Sequence, residues 1–127
     1  MTPALLDSDV LIWHLRGDPR AQSLLLDVVD RGRRLCASVV SRAEIEGGMR
    51  SNERAITRRL FDSLDLIPVT DDIARRAGVA LRTHRRSHPG IAVSDYLIAA
   101  SAVSVGADFL TLNTRHYPQM SGLRPAW

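Results

Sequence analysis

The chain contains no lysine: all 17 of its basic residues are arginine. Such a bias is what a GC-rich genome produces, but arginine is also the fork-shaped binder of phosphate. Cysteine is almost absent too. Cys36 alone excludes an intramolecular disulfide framework and a multi-cysteine zinc site, and in "RLCASVV" it reads as a small buried hydrophobe. No apolar stretch approaches the ~20 residues of a membrane span, so no membrane contact is expected. No basic segment precedes an apolar core at the N-terminus, so no signal peptide is visible and the cytoplasm is the expected location. Repeats, low-complexity tracts and linkers are also missing.

What remains is an ordinary composition, 45% apolar and 24% charged over 127 residues. That length predicts one domain, residues 1–127, with a single good core. The net charge is only +3. Together with a few clustered acids, this basic balance suggests a polyanionic partner.

Short apolar runs alternate with helical patterns. "ALLD" and "RRLCAS" read as buried strands, "LIPVT" as a strand whose Pro68 suggests a sheet edge, and "DFLTLN" as a fourth strand. Helices are predicted over "SDVLIWHL", stopped by Gly17, and over "PRAQSLLLDVVD", opened by Pro19 and closed before Gly32. Others are predicted over "VVSRAEIEGG", "NERAITRRLFDSLD", "DDIARRAGVALRTHRR" with Thr70 as N-cap, and "VSDYLIAASAVSVG". In "NERAITRRLFDSLD" the apolar face is expected at Ala55, Ile56, Leu60, Phe61 and Leu64. The tail "RHYPQMSGLRPAW" reads as loop, with room for a last short strand. Strands alternating with helices imply βαβ units and a mostly parallel sheet covered on both faces. Ligands of such sheets sit outside the carboxyl ends of the strands.

Fourteen acids have to be sorted. Asp71 and Asp72 follow Thr70 at a helix start, where carboxylates suit the dipole. Asp27, Asp30, Asp62, Asp65, Glu46 and Glu53 lie among arginines on polar faces. Asp18 and Asp108 read as turn or cap residues. Three acids stand in apolar company. Asp7 ends the first strand, Glu44 sits in "VVSRAEIEGG", and Asp95 sits in "IAVSDYLIAAS". Each has a local explanation. Asp7 or Asp9 could cap the following helix, Ser41 and Glu44 have the spacing of a capping box, and Asp95 suits a first helical turn. All three nevertheless fall near strand-to-helix connections, on the side where ligands bind. Carboxylates gathered without lysines repel one another unless a cation joins them, and their oxygens suit Mg²⁺ or Mn²⁺ rather than a soft metal. His84 and His88 share an i, i+4 spacing, but "SHPG" interrupts the helix and no further zinc ligand is evident.

The stretches "LLDSDVLI", "ASVVSRAEIEGGM", "VSDYLIAASAVSVGADFLTLNTRHYP" and "GLRPAW" resemble the successive motifs of PIN-domain ribonucleases, and more narrowly of the VapC toxins of type II toxin–antitoxin systems. The likeness runs from about residue 4 to the end, in the family's order. It implies a three-layer α/β/α fold around a four- to five-stranded parallel sheet, and an endoribonuclease dependent on Mg²⁺, for which Mn²⁺ can substitute. It also implies catalytic residues at Asp7, Glu44 and Asp95, with Asp7 and Asp95 as metal ligands. Glu44 would hold the metal or deprotonate the attacking water. The fourth polar position falls in "TLNTRHY", where an acid is usual and this chain offers Asn113, with His116 nearby. Ser8, Asp9 and His116 would support the site from behind. By the same resemblance a separate antitoxin covers the cleft, and the toxin pairs with itself, giving a homodimer and a heterotetramer or larger assembly with antitoxin.

Arg50, Arg54 and Arg58 recur every fourth residue, and Arg75, Arg82 and Arg86 recur along the next helix. Both sets read as solvated faces or as phosphate tracks; Arg50, Arg54, Arg58, Arg82 and Arg86 are the candidate RNA contacts. Three rivals remain. A phosphoacceptor receiver domain has a similar fold but needs a lysine, which is missing here. A catalytically inactive PIN-like module that only binds RNA or protein is kept open by the uncharged Asn113. A DNA-cutting metal nuclease would carry the same acids, and the choice of RNA rests on the resemblance alone.

Overall fold

The computed structural model describes residues 1–127. Four short strands form one sheet: β1 (Ala4–Leu6), β2 (Leu35–Ser38), β3 (Asp65–Ile67) and β4 (Asp108–Leu110). Their order is β3-β2-β1-β4 and every pairing is parallel. Leu5 lies opposite Cys36 on one side and Phe109 on the other. The central strands β1 and β2 are buried at every residue, the continuous apolar signature of a parallel sheet covered on both faces. Six helices cover it: α1 (Ser8–Leu15), α2 (Pro19–Asp30), α3 (Val39–Gly48), α4 (Arg54–Asp62), α5 (Asp71–His84) and α6 (Val93–Ser104).

The pleat divides the core in two. Ala4, Leu6, Leu35 and Ala37 pack with Val10, Leu25, Val28 and Phe61 of α1, α2 and α4. Leu5 and Cys36 point the other way, against Ile73 and Ala77 of α5 and Tyr96, Ile98 and Ala102 of α6. Successive strand residues must face opposite layers, and burying both sets gives the α/β/α sandwich. Cys36 is fully buried, as expected, and burial pushes its thiol above the ordinary range.

The turn chemistry is local. Gly17, Gly32 and Gly106 end α1, α2 and α6 at positive φ, where a Cβ would be strained. Thr70 caps α5 through Ile73 N–H. Asp18 caps α2 through Arg20 N–H, and the Arg20 side chain beside it holds the Asp18 carboxyl down at about 2.

Four details differ from the sequence-based expectation. The helix of residues 54–62 is preceded by a 3-10 turn over Ser51–Glu53, so Arg50 lies outside it. That helix buries Thr57, Leu60 and Phe61, with Leu64 just beyond, while Ala55 and Ile56 are exposed. A helical stripe is only about 100° wide, and Thr57 takes the inward place one position on. Arg86 lies in the turn after α5, so neither arginine series is a continuous helical stripe. No strand forms in the tail. Residues 114–116 make a 3-10 turn, and the tail contributes one bond beside β4, from Ala126 N–H to the Thr111 carbonyl. Pro118 and Pro125 have no N–H to donate to a ladder.

β1 lies between β2, which follows it in the chain, and β4, the last strand. The strand order therefore reverses at β1, and in open α/β sheets that crevice receives the ligand. Asp7 is the first residue past the carboxyl end of β1.

Candidate active site

Asp7 is extended (φ −71°, ψ 160°) and caps α1, its Oδ1 accepting Ser8 N–H at 2.8 Å. The local reading is thus correct, but it uses only one oxygen. Oδ2 accepts two hydroxyls, from Thr111 at 2.8 Å and from Tyr117 at 2.7 Å. With only 5% of the residue exposed, these donors replace the water that a carboxylate otherwise requires.

Glu44 is not half of a capping box. The N-cap of α3 is Ser38, whose hydroxyl accepts Val40 N–H at 3.1 Å, and Ser41 lies inside the helix. The Glu44 side chain leaves its own helix and meets α1, where Ser8 Oγ lies 2.8 Å from Oε1. Ser8 Oγ is also 2.9 Å from the buried Ser41 Oγ. A hydroxyl carries one proton. Ser8 gives its own to Glu44, and Ser41 can give its proton to Ser8.

Asp95 stands in the first turn of α6 and accepts from His116 Nδ1 at 3.0 Å. A carboxylate offers no proton, so this ring nitrogen carries it. Burial pushes the Asp95 carboxyl above the usual range; the His116 bond draws it down, and the charge of Asp7 pushes it up again. Asp9 behaves alike. Burial raises it first and the charge of Asp7 second, against bonds from Leu112 N–H and Val10 N–H. Thr111 Oγ1 is 3.3 Å from Asp9 as well, so one hydroxyl ties the ends of β1 and β4 together.

Asp7, Ser8, Asp9, Glu44, Asp95, Asn113 and His116 all line one cavity of about 280 Å³ at the carboxyl edge of the sheet. Every catalytic and supporting residue expected from the sequence is in this wall. Of the arginines, Arg50 lines the neighbouring groove. Arg54 and Arg58 on α4, Arg82 on α5 and Arg86 beyond it are exposed and line neither cavity nor groove. Two residues that hold the site together, Thr111 and Tyr117, were not expected there from the sequence. A polar Thr between two leucines of a strand was the one available signal for the first. Nothing marked the second.

The donor chemistry suits a hard cation. The charge of Asp7 opposes the ionisation of Asp9 and of Asp95, oxygen is the only ligand type the acids offer, and no cationic side chain lies in the cavity wall except His116. The acids face one space without being drawn into contact: no three His, Cys, Asp or Glu side chains are close enough to close around an ion as they stand.

The sequence matches the PIN domain family over residues 4–121. It is 42% identical to ribonuclease VapC19 of Mycobacterium tuberculosis over 97% of this chain and 98% of that protein. With ribonuclease VapC10 of the same species it shares 48% identity, over 95% of this chain and 90% of the relative. Among solved structures it is similar to VapBC2 from Rickettsia felis bound to a DNA fragment from its promoter (TM-score 0.81, 16% identity, 96% of both chains). DNA-bound VapBC from Salmonella typhimurium is another (TM-score 0.81, 21% identity, 98% of this chain and 97% of that one). At such identities the structures speak for the fold, while the family match and the two ribonucleases speak for descent: this chain belongs to the PIN domain family, in its VapC branch.

Proposed function

We propose that this chain is the toxin of a toxin–antitoxin pair, an endoribonuclease that hydrolyses RNA phosphodiester bonds with a divalent cation, Mg²⁺ in the cell, at Asp7 and Asp95. The observation that carries this reading is the meeting of Asp7, Glu44 and Asp95 in one cavity, from the end of β1, the middle of α3 and the first turn of α6, with the charge of Asp7 opposing that of Asp95. A fold without a cation to bind gains nothing from that arrangement.

When bound, the cation lowers the pKa of a water and neutralises charge on the phosphoryl oxygens. The chain's own groups do the rest. Asp7 is fixed from behind by Thr111 and Tyr117. His116 fixes Asp95 through Oδ2. Glu44 is turned toward the cavity by Ser8 on Oε1, and Oε2 makes no bond. That free oxygen supports Glu44 as the group that takes the proton of the attacking water. The side-chain amide of Asn113, exposed at the rim, can donate to a phosphate oxygen without adding negative charge.

The structurally similar protein from Klebsiella pneumoniae is a toxin–antitoxin complex, and VapBC-5 from Mycobacterium tuberculosis belongs to the VapBC family of toxin–antitoxin systems; the same partnership is proposed here, with the toxin as a homodimer within it. No helix is long and apolar enough to cross a membrane, and the cytoplasm, where RNA and antitoxin are made, is the proposed location. The 127 residues are read as one PIN domain. Crystals soaked in Mn²⁺ test the site: anomalous density between Asp7 and Asp95 is expected. Density at His84 and His88 with none in the cavity would contradict it.

A further inference from the structure

A groove of about 530 Å³ opens beside the acid cavity and shares Ile12 and Glu44 with it. The chemistry above makes no use of the groove. Arg16, Arg50, Asn52 and Glu53 line it further out. Helix α1 joins the two spaces: Asp9, Ile12 and Arg16 are spaced i, i+3, i+7 on one face, so Arg16 stands about 10 Å along the axis from Asp9. Arg50 arrives from another element, just past α3. Seven arginines of the chain pair with a carboxylate; Arg16 and Arg50 are among the ten that have none within ion-pair distance, and are the two of these that line the groove. Arg16 lies instead over the ring of Trp13, 5.3 Å from its centroid, and 39% of Trp13 is exposed. Each acid of the groove accepts one hydrogen bond through Oε1. Glu53 accepts the Arg50 backbone N–H at 2.8 Å, and Glu44 accepts from Ser8.

Two guanidinium groups without a carboxylate partner in the groove wall, and the part-exposed indole of Trp13 beneath Arg16 just outside that wall, match the needs of an unpaired nucleic-acid strand. Guanidinium takes phosphate in bidentate fashion, and exposed aromatic and guanidinium planes stack unpaired bases. A base held in a duplex cannot turn onto Trp13. Arg16 and Arg50 also stand past helix C-termini, where cations are favourable for local reasons; a local role of that kind predicts lost stability and unchanged RNA binding.

We propose that this groove holds the single-stranded RNA flanking the scissile phosphate, with Arg16 and Arg50 on its backbone and Trp13, beside Arg16 and outside the groove wall, against a base where the strand leaves it. The proposal rests on the ribonuclease reading. Its test uses Asp95→Asn protein, so that RNA stays uncut, and a labelled single-stranded 12-mer in EDTA across a salt series. Arg16→Ala and Arg50→Ala are each expected to weaken binding and to flatten log Kd against log salt by about 0.7 for each phosphate no longer neutralised. Trp13→Ala is expected to weaken binding about fivefold or more at every salt concentration, with the slope unchanged. The same RNA as a duplex should not distinguish the parent from the variants. Circular dichroism melts confirm that each variant is folded.

Equal affinity and slope in the parent and the Arg16→Ala, Arg50→Ala double variant would overturn the proposal. So would a double variant that keeps its RNA affinity and gains affinity for an arginine-rich peptide, which would make the groove a peptide seat. Either result leaves the acid cavity as it is, because the ribonuclease reading fails only if removing Asp7 or Asp95 leaves cleavage intact.

Discussion

Tyr117 gives its phenolic proton to Asp7 across 110 positions of sequence, at 2.7 Å, with both residues almost wholly out of solvent. The ring is held edge-on against Phe109, centroids 4.7 Å apart, so the hydroxyl cannot swing away without disturbing the core. Burial and the charge of Asp7 both push the phenol far above its ordinary pKa: it stays a donor at every working pH. In the proposed site Tyr117 is a positioning residue, which would act on the cation only through Asp7.

Tyr117→Phe keeps the packing and removes the donor. Partners behind a metal ligand are worth roughly 10–100-fold in affinity. Mn²⁺ binding to the metal-free protein, followed by electron paramagnetic resonance, is expected to weaken by about that factor, with a stability loss of only about 1–3 kcal/mol. A purely structural tyrosine predicts lower stability with Mn²⁺ affinity unchanged.

Glu44 and Ser8 give a second expectation. Glu44→Gln leaves α3 capped, because Ser38 supplies the cap, so the melting temperature should match the parent. Cleavage should fall about 100-fold or more, since an amide cannot take a proton from water. Ser8→Ala frees the carboxylate without removing it and should give a smaller loss. Native cleavage by Glu44→Gln would remove Glu44 from the chemistry.

A third expectation concerns charge. Asp95 is raised above the ordinary carboxylate range by burial and by Asp7. Between the ordinary and the raised value the folded state binds more protons than the unfolded one, so metal-free stability falls as pH rises through that window. At neutral pH the ionised group opposes folding. Asp95→Asn in EDTA should therefore melt higher than the parent, by roughly 3–6 °C for each kcal/mol relieved. Saturating Mg²⁺ should raise the parent's melting temperature more than the variant's. A variant that melts lower in EDTA would show that Asp95 is held as a structural anion.

The parts of this fold visible in the sequence are those with local causes. Pro19 and Gly32 bracket α2, Thr70 opens α5, and the runs at 4–6 and 35–38 are buried strands because no charged residue interrupts them. Asp7, Glu44 and Asp95 stood out as acids in apolar surroundings, and the family resemblance gave them roles. Ser41 and Glu44 have the spacing of a capping box, so the sequence left that alternative beside the site reading of Glu44; only tertiary packing, with Glu44 turned to Ser8, removes it. Ile56 was expected inside because it is apolar, yet the face of α4 is set by what α4 packs on. Thr111 and Tyr117 meet Asp7 from 104 and 110 residues away, and no periodicity encodes an interaction of that range.

The central claim is that three carboxylates of one cavity hold the cation and the water that cut RNA. Cleavage of single-stranded RNA in Mg²⁺ by Asp7→Asn, Asp95→Asn and a control, Asp72→Asn, tests it most directly. Asp72 is an exposed partner of Arg76 on α5 and no part of the cavity wall. If the site supplies several kcal/mol to the transition state, each of the first two should lose ~100-fold or more, at ~1.4 kcal/mol per tenfold, while the control cuts like the parent. Equal cleavage by all three variants would contradict the account.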